Sequence, residues 1–248
     1  MKIKETITFV SEEEKLILPL QYNHMVQGMI YNLLNDNLSS FLHDEGFLKG
    51  NRSFKMFTFS RLNGNYTLDK NNSKIIFQGP VSLTIASPFE EFCNSIGNNF
   101  LTKEKAQLGN NYIKIKEVTL EKEVVTKKHI EFHTLSPIVI YSTLFKANGK
   151  KFTCYFQPGE SEFNKLLEKN LRKKYEAFYK QSPPDGDIVI KSLNRPKLSV
   201  MNYKQTVIKG YTGKFSMTGP IPLLQMGLDT GLGSKNSQGF GCIKIINK

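Results

Sequence analysis

The sequence of 248 residues contains few cysteines, few histidines and no tryptophan. Its three cysteines, Cys93, Cys154 and Cys242, are too few and too widely spaced for a disulfide framework or a zinc knuckle. It also lacks an apolar run of about eighteen residues, the length that a membrane-spanning helix needs, and its charged N-terminus has no apolar stretch typical of a secretory signal. We therefore predict a reduced, cytoplasmic protein with no membrane partner.

Acidic residues are scarce relative to basic ones. The 34 lysines and arginines outnumber the 22 aspartates and glutamates, which leaves a formal net charge of +12 at pH 7. Such an excess predicts a polyanionic partner, because cationic side chains displace the counterions condensed on a phosphate backbone. Nucleic acid is the favoured partner, and a soluble basic protein without such a partner is the alternative.

The predicted elements follow the order β-α-β-β-α-β twice. In the first half, alternating or apolar runs predict strands at 2–9, 54–61, 74–86 and 112–120, and helical periodicity predicts helices at 22–34 and 87–100. In the second half, strands are predicted at 131–141, 187–193, 203–218 and 242–246, with helices at 161–180 and 219–229. We therefore predict an α+β protein made of two tandem ferredoxin-like (βαββαβ) domains with antiparallel sheets, at residues 1–124 and 125–248.

The start of the second helix carries a specific capping signal. Ser87 is predicted to cap this helix, Pro88 to occupy its first position, and Glu90 to complete a capping box.

A glycine-rich segment, residues 231–241, is the most specific feature of the sequence. Its spacing fits neither a Rossmann fingerprint nor a Walker A loop. Four glycines interleaved with polar residues exceed what a tight turn needs, so we favour a loop whose backbone N–H groups contact phosphate. The predicted contact residues are Gly231, Gly233, Ser234, Lys235, Asn236, Ser237, Gly239 and Gly241.

The four histidines offer few candidates for chemistry. His129 and His133 share one face of a predicted strand, but two histidines without a nearby cysteine are weak evidence for a metal, so no metal site is predicted. His24 lies on the polar side of the first helix together with Tyr31. His43 lies between apolar and acidic neighbours, and the residues alone leave both a structural and a catalytic role open.

Five stretches together resemble a known family: residues 18–31, 41–47, 54–60, 134–137 and the glycine-rich segment. The sequence resembles the CRISPR-associated endoribonucleases that cut precursor CRISPR RNA within its repeats, members of the repeat-associated mysterious protein superfamily. The resemblance extends from end to end and implies two ferredoxin-like domains, in agreement with the element order.

The resemblance also implies a chemistry that needs neither a metal nor a cofactor. The 2′-OH of the RNA attacks the adjacent phosphorus and leaves a 2′,3′-cyclic phosphate and a 5′-OH. The matching positions imply that His43 transfers a proton, that Tyr31 positions the substrate or transfers a proton, and that Lys55 stabilises charge. His24 stays open as a substitute for His43, and Lys49 or Arg52 as a substitute for Lys55.

The implied partner is the precursor CRISPR RNA repeat. Arg195 and Lys197, which precede a strand of the second unit, are the favoured additional RNA contacts. Subunits of a CRISPR effector complex and a second copy of the chain in a homodimer are open as further partners. The alternative function is a non-catalytic RNA-binding subunit of an effector complex; a general RNA-binding protein is disfavoured because no RNP motif is visible.

Overall fold

The computed structural model describes residues 3–103, 105–145, 148–203 and 206–246. The strands are β1 Ile3–Ser11, β2 Lys15–Pro19, β3 Phe47–Lys49, β4 Arg52–Phe54, β5 Thr58–Phe59, β6 Asn63–Asp69, β7 Lys74–Ser87, β8 Lys105–Leu108, β9 Asn111–Glu121, β10 His129–Thr134, β11 Tyr141–Phe145, β12 Lys151–Tyr155, β13 Val189–Ser192, β14 Lys197–Tyr203, β15 Thr206–Thr212, β16 Lys214–Thr218 and β17 Ile243–Ile245. The α-helices are α1 Asn23–Asn32, α2 Asp36–Ser40, α3 Glu90–Thr102, α4 Ser161–Tyr179 and α5 Ile221–Thr230. A π-helical turn spans Phe41–Glu45 and a 3₁₀ turn spans Asn236–Gln238. None of the helices in these ranges is both long enough and apolar enough to cross a membrane.

The first half of the chain forms an antiparallel sheet in the order β2-β7-β1-β9-β8, with β5 and β6 also paired to β7. Along β1, Ile7 and Phe9 are fully buried, whereas Thr6 and Thr8 alternate with them on the other face. The helices α1 and α3 cover the buried face, and their apolar residues join Ile7 and Phe9 in one core. The predicted apolar stripe of the first helix is confirmed, since Val26, Met29 and Ile30 lie in this core.

The second half repeats this arrangement with a smaller sheet in the order β13-β16-β10-β17. The helices α4 and α5 pack on it, and Phe163 of α4, Phe215 of β16 and Leu224 of α5 lie in its core. In the first half β1 pairs with β7 and β9, and in the second half β10 pairs with β16 and β17. The first strand of each βαββαβ unit thus lies between the third and the fourth strand of that unit, which is the ferredoxin-like topology. The α+β class and the two tandem ferredoxin-like units are confirmed. The domain limits 1–124 and 125–248 stay a prediction; the boundary falls between the last strand of the first sheet, β9, and β10.

Several predicted element limits are wrong. The predicted strand 54–61 is divided into β4 and β5, because Met56 between them adopts a φ of +53° that ends the extended backbone. The strand predicted at 203–218 covers the last residue of β14 and the two strands β15 and β16. The strand predicted at 131–141 covers most of β10 and only the first residue of β11. Short extended segments that a partner strand stabilises, such as β6 and β14, lack a sufficient local signal.

The capping box predicted for the helix that corresponds to α3 is also wrong. The helix begins at Glu90, and its N-cap residue, Phe89, makes no side-chain cap hydrogen bond. Ser87 instead ends β7: its Oγ donates to the carbonyl of Met56 at 2.8 Å and accepts from the N–H of Phe89 at 3.2 Å. The serine therefore holds the turn between strand and helix next to the β4–β5 connection.

One carboxylate on the buried face of β1 has an oxygen that lacks a hydrogen-bond partner among the described residues. Glu5, on the inward face of β1, is 2% exposed, and within the described residues its Oε2 has no hydrogen-bond partner. Burial disfavours the ionised form and raises the pKa of Glu5 from 4.5 to about 8. Glu5 in turn contributes to the raised pKa of the Cys93 thiol, after burial itself.

We predict that Glu5→Gln changes the pH dependence of stability. Between pH 4.5 and 8 the folded wild-type protein binds more protons at Glu5 than the unfolded chain, so the free energy of unfolding falls as pH rises, by up to about 1.4 kcal/mol per pH unit. Glutamine does not titrate, so the stability of Glu5→Gln relative to wild type should increase from pH 5 to pH 8, as measured by urea denaturation.

The matched control is Glu91→Gln, which removes an exposed carboxylate on α3. Its stability relative to wild type should stay nearly constant over the same pH range. Parallel pH profiles for wild type and Glu5→Gln would contradict the assignment of a protonated carboxyl at Glu5.

Candidate functional site

Tyr31 is held rigidly at the C-terminal end of α1. Its ring contacts the buried Phe57 edge-on at a centroid distance of 5.8 Å, and it meets the ring of His43 edge-on at 6.2 Å. Burial raises the pKa of Tyr31 to about 12, with a smaller contribution from Tyr203. The phenol is therefore protonated at neutral pH and can act as a hydrogen-bond or proton donor.

His43 extends into solvent from the π-helical turn that follows α2. The neighbouring Leu42 is fully buried and anchors this turn, whereas the side chain of His43 is 77% exposed. The Nδ1 atom of His43 lies 2.7 Å from Oδ1 of Asp44. Because a carboxylate only accepts, this contact places the proton on Nδ1 and leaves Nε2 available for proton transfer.

Lys55, which directly follows β4, contacts the same turn. Its Nζ donates to the main-chain carbonyl of His43 at 2.9 Å. Burial lowers the pKa of Lys55, and Asp44 opposes this shift. Gly46 permits the approach: it has a φ of +68°, and a Cβ there would lie 2.7 Å from Oγ of Ser53. The structure thus brings Tyr31, His43 and Lys55 together at one surface.

The glycine-rich segment packs in the junction between the two halves. A Cβ at Gly239 would lie 2.5 Å from the ring of Phe59, one at Gly233 would lie 2.5 Å from the carbonyl oxygen of Val139, and one at Gly241 would lie 2.0 Å from the carbonyl oxygen of Leu232. All four glycines, including Gly231, also have φ between +73° and +85°. Backbone conformation and close packing thus account for every glycine.

Hydrogen bonds fasten this segment to both halves. In the first half, Nδ2 of Asn23 donates to the carbonyl of Gln238 at 2.8 Å, and Oγ1 of Thr58 donates to the carbonyl of Phe240 at 3.0 Å. In the second half, the N–H of Ser234 donates to the carbonyl of Val139 at 2.8 Å.

A lysine of α4 fastens the segment from its other side. Lys174 is 2% exposed, and its Nζ donates to the carbonyl of Gly231 at 2.6 Å and to Oδ1 of Asn236 at 2.7 Å. Burial lowers the pKa of Lys174 from 10.5 to about 7. The amide group of Asn236 also donates to the carbonyls of Leu232 and Phe240, so this residue closes the neck of the loop.

Comparison with known proteins identifies the family. A family model described as "CRISPR associated protein Cas6, C-terminal" matches residues 119–245, just over half of the chain. The chain belongs to the Cas6 family. This Cas6 family member is 28% identical over 229 residues to the CRISPR-associated endoribonuclease Cas6 1 of Methanocaldococcus jannaschii, which covers 92% of this chain and 87% of that protein.

Further relatives agree in sequence and in fold. The CRISPR-associated endoribonuclease Cas6 of Pyrococcus furiosus is 26% identical over 259 residues, covering 96% of this chain and 88% of that protein. A solved structure described as "Characterization of a Cas6-related gene from Pyrococcus furiosus" superposes over the whole of both chains with a TM-score of 0.87 at 22% identity. At that identity the structural likeness supports the fold alone.

In this Cas6 family member, Lys49 and Arg52, the two alternatives to Lys55, lie in different places. Lys49 forms an ion pair with Glu176 of α4 at 3.0 Å, which connects the β3–β4 hairpin to the second half. Arg52 is exposed and lines a cleft of about 540 Å³ between the halves, a cleft that Lys55 also lines. Of the three, Lys55 makes the hydrogen bond to the carbonyl of His43.

His24, the alternative histidine, faces a different neighbour. Its ring lies edge-on to that of Tyr203 at 6.5 Å, and its Nδ1 is 3.0 Å from the carbonyl oxygen of Gln21. Tyr203, which sequence reasoning missed, reaches α1 from β14 of the second half, and its hydroxyl donates to the side-chain oxygen of Gln27. The sequence predicts Tyr203 as the first residue of the strand 203–218, whereas it ends β14, and no local pattern indicates its contact with α1.

The prediction that backbone N–H groups of the glycine-rich segment contact phosphate is weakened by their hydrogen bonds within the protein. N–H groups of Ser234, Gly239 and Gly241 donate to carbonyls within the protein, so the segment does not present a continuous row of donors. Ser234, Lys235 and Ser237 are half-buried and line the 540 Å³ cleft, and the ammonium of Lys235 lies 5.5 Å from the ring centroid of Tyr141. Of the four glycines of the segment, Gly233 alone lines the described cleft, together with these side chains and Asn236.

The remaining predicted contacts lie elsewhere. Arg195 and Lys197 are exposed at the start of the β14–β15 hairpin and do not line this cleft. In the part of the chain that the structure describes, no three His, Cys, Asp or Glu side chains are grouped in a way that could hold a metal ion.

We predict that Gly241→Ala lowers the free energy of unfolding by about 3 kcal/mol or more, because the new Cβ meets the backbone of Leu232 in addition to the strained φ. Gly149→Ala is the matched control: Gly149 has a φ of +76°, but no atom of the described residues lies within 4 Å of an added Cβ, so we expect a loss of about 1 kcal/mol there. Thermal denaturation of both variants tests the difference, and equal losses would refute the packing role of the segment.

Proposed function

We propose that this chain is an endoribonuclease that cuts precursor CRISPR RNA within its repeat. Membership of the Cas6 family supports this activity, as do relatives named CRISPR-associated endoribonucleases that match over 87% and 88% of their length. The observation that carries the proposal is the convergence of Tyr31, His43 and Lys55, with the two rings 6.2 Å apart and Nζ of Lys55 2.9 Å from the carbonyl oxygen of His43.

The proposed reaction uses a nucleophile from the RNA itself. The 2′-oxygen forms a bond to the adjacent phosphorus as its proton leaves, and the bond from phosphorus to the 5′-oxygen breaks as that oxygen gains a proton. The products are a 2′,3′-cyclic phosphate and a 5′-OH. One bond to phosphorus forms and one breaks, so the reaction balances without a metal or a cofactor. The protein must supply a base, an acid and a positive charge.

The environments of the three side chains suggest how these roles divide. His43, with Nδ1 occupied by Asp44, accepts the 2′-OH proton at Nε2. Tyr31, whose pKa of about 12 keeps it protonated, donates to the 5′-oxygen. Afterwards the imidazolium of His43 releases its proton to water and the phenolate of Tyr31 takes one from water, which restores both groups. Lys55 lies beside them and stabilises the negative charge of the phosphorane.

Partners follow from the same proposal. The substrate is the repeat region of the RNA, and the side chains of Ser234, Lys235 and Ser237 are proposed contacts, together with Arg195 and Lys197. Assembly with effector-complex subunits, homodimer formation and a cytoplasmic location stay predictions.

We predict that the purified protein cuts RNA containing the repeat of its own locus in the presence of EDTA. His43→Ala should lower the cleavage rate about 100-fold or more, because proton transfer to a side chain is lost. His129→Ala is the matched control, since His129 is exposed and contacts Thr218 of the second sheet. Single-turnover rates on gels measure both.

The outcomes separate the alternatives. A wild-type protein that shifts the RNA but leaves it intact indicates a non-catalytic binding subunit. Full activity of His43→Ala combined with an inactive His24→Ala moves the role to His24.

We further predict that Tyr31→Phe lowers the rate but not the affinity. The ring contacts with Phe57 and His43 remain, whereas the phenolic donor is lost, so the cleavage rate should fall about 100-fold. A single 2′-deoxy substitution at the cut nucleotide should abolish cutting and preserve binding in a gel-shift assay. Products with a free 3′-OH, or cutting of the 2′-deoxy RNA, would exclude attack by the 2′-oxygen.

A further inference from the structure

The polar face of α1 carries three side chains in a row. His24, Gln27 and Tyr31 are three and four residues apart, a spacing that places them on one face of the helix. Val26 and Met29 on the other side of the helix lie in the first core. Because a helix rises about 1.5 Å per residue, Gln27 precedes Tyr31 by about 6 Å along the axis, and His24 precedes it by about 10.5 Å. The row therefore leads away from the candidate proton donor.

The second half of the chain contacts this row through the end of β14. The hydroxyl of Tyr203 donates to Oε1 of Gln27, and the ring of Tyr203 lies edge-on to that of His24 at a centroid distance of 6.5 Å. Beside it, the N–H of Asn202 donates to Oε1 of Gln21 at 2.9 Å. Tyr203 is only 9% exposed, so the surrounding protein holds its phenol in place. These contacts join the β14–β15 hairpin to the start of α1.

The hydrogen bond from Tyr203 fixes the orientation of the Gln27 amide. Burial raises the pKa of Tyr203, so its phenol keeps the hydrogen that it donates. Since Oε1 of Gln27 accepts this hydrogen, the NH₂ group lies on the other side of the amide. Among the described residues this NH₂ group has no acceptor, and Gln27 is half-buried rather than enclosed. Gln27 therefore offers a hydrogen-bond donor of fixed direction.

His24 offers an acceptor one helical turn away. Its Nδ1 lies 3.0 Å from the carbonyl oxygen of Gln21. Because a carbonyl only accepts, Nδ1 carries the hydrogen of this contact, and in a neutral ring Nε2 is then the acceptor. The side chain is exposed, and the Tyr203 ring beside it limits the directions that the imidazole can take. Residues three apart on a helix have Cβ atoms about 5–6 Å apart, so the donor of Gln27 and the acceptor of His24 can bind one planar group together.

A donor beside an acceptor suits the edge of a base better than a phosphate. Phosphate oxygens only accept, and they attract positive charge, which an amide and a neutral imidazole lack. An unpaired base instead presents a donor next to an acceptor on its Watson–Crick edge. Adenine and cytosine have an amino donor beside a ring acceptor, whereas guanine and uracil have a carbonyl acceptor beside a ring N–H. A fixed pair of protein groups thus distinguishes these two groups of bases.

We propose that Gln27 and His24 recognise one unpaired base of the RNA, on the nucleotide that carries the 5′-oxygen of the cut bond, and that Tyr203 is a positioning residue for Gln27. The inference rests on the proposed function, because the assigned nucleotide follows from the proposed roles. His43, which takes the 2′-OH proton, contacts Tyr31 from beyond the C-terminal end of α1. Tyr31 protonates the 5′-oxygen, and Gln27 and His24 precede it on the helix. The row therefore follows the RNA strand on the 5′-oxygen side.

The test compares five RNAs that contain the repeat of the protein's own locus. They differ only at the nucleotide on the 5′-oxygen side of the cut, which carries A, C, G, U or no base. A 2′-deoxy cut nucleotide prevents cleavage during the Kd measurement, which is made at pH 8, where histidine in model peptides is neutral. Wild type should bind one group, A and C or G and U, about tenfold more tightly than the other group and the abasic RNA, as expected of a bidentate base contact. Equal Kd values for all five RNAs overturn the proposal.

Gln27→Glu tests the donor. Glutamate keeps the length and the acceptor for Tyr203, but it replaces the free N–H group with a second acceptor. The preference between the two groups of bases should therefore disappear or reverse. The matched control is Gln78→Glu, which adds the same charge at an exposed position of β7 and should keep the wild-type preference. A wild-type preference in Gln27→Glu, or the same loss in Gln78→Glu, contradicts recognition by Gln27.

Tyr203→Phe tests the positioning role. Phenylalanine keeps the ring beside His24 but lacks the hydroxyl that orients the Gln27 amide. The preference should fall about threefold or more, while the Kd for the abasic RNA stays at the wild-type value. A distorted fold would instead weaken the binding of all five RNAs.

The matched control for this variant is Tyr155→Phe. The hydroxyl of Tyr155 donates to the carbonyl of Val207 at 2.8 Å and so holds the same hairpin from β12. Its removal should leave the base preference unchanged. A full preference in Tyr203→Phe, or an equal loss in Tyr155→Phe, overturns the role of Tyr203.

This inference and the proposed function fail in different ways. If wild type cuts cleavable versions of all five RNAs at one rate and binds the uncleavable ones with one Kd, the base site is overturned and the endoribonuclease assignment stands. If wild type cuts none of them, the proposed function fails, and the base series is repeated at each position of the repeat. A preference that Gln27→Glu removes then still supports recognition by Gln27, and the absence of any such position overturns it.

Discussion

The packing of residues 231–241 between the two halves is the constraint on which the rest of the site depends. Gly239 lies against Phe59 and Asn23 of the first half, while Gly233 lies against Val139 of the second. At these distances no side chain larger than hydrogen fits, so the two halves approach through the glycine backbone of this segment and the side chains of Phe59 and Asn23. Both walls of the cleft, and the position of Lys55 beside it, follow from this junction.

Buried charge marks this region of the molecule in two contrasting ways. Glu5 lies in the first core, where burial raises its pKa to about 8 and the carboxyl is neutral at pH 7. Lys174 lies at the cleft, where two oxygen acceptors hold its ammonium group and burial lowers its pKa to about 7. The lysine differs from the glutamate in its contacts: both of its acceptors belong to the glycine-rich segment, so it fastens that segment to α4.

The candidate catalytic residues also divide by environment. Tyr31 is packed between aromatic rings, which fixes its direction and keeps its phenol protonated, whereas His43 is exposed and oriented by one carboxylate. A rigid donor next to an exposed proton acceptor suits a substrate that approaches from solvent. The π-helical turn ending at Gly46 is what brings the acceptor to the donor, because it turns the chain back toward the strand that leads to Lys55.

The sequence by itself determined the order of elements, the buried stripe of α1 and the positive charge, because periodicity and composition are local properties. With the family resemblance it also led to His43, Tyr31 and Lys55 as candidates. Only the tertiary structure decided that the glycines of 231–241 serve packing, that Ser87 bonds Met56 instead of capping a helix, and that Lys174 lies buried at a cleft. Each of these depends on contacts between residues far apart in the chain, which no local pattern of polarity or propensity records.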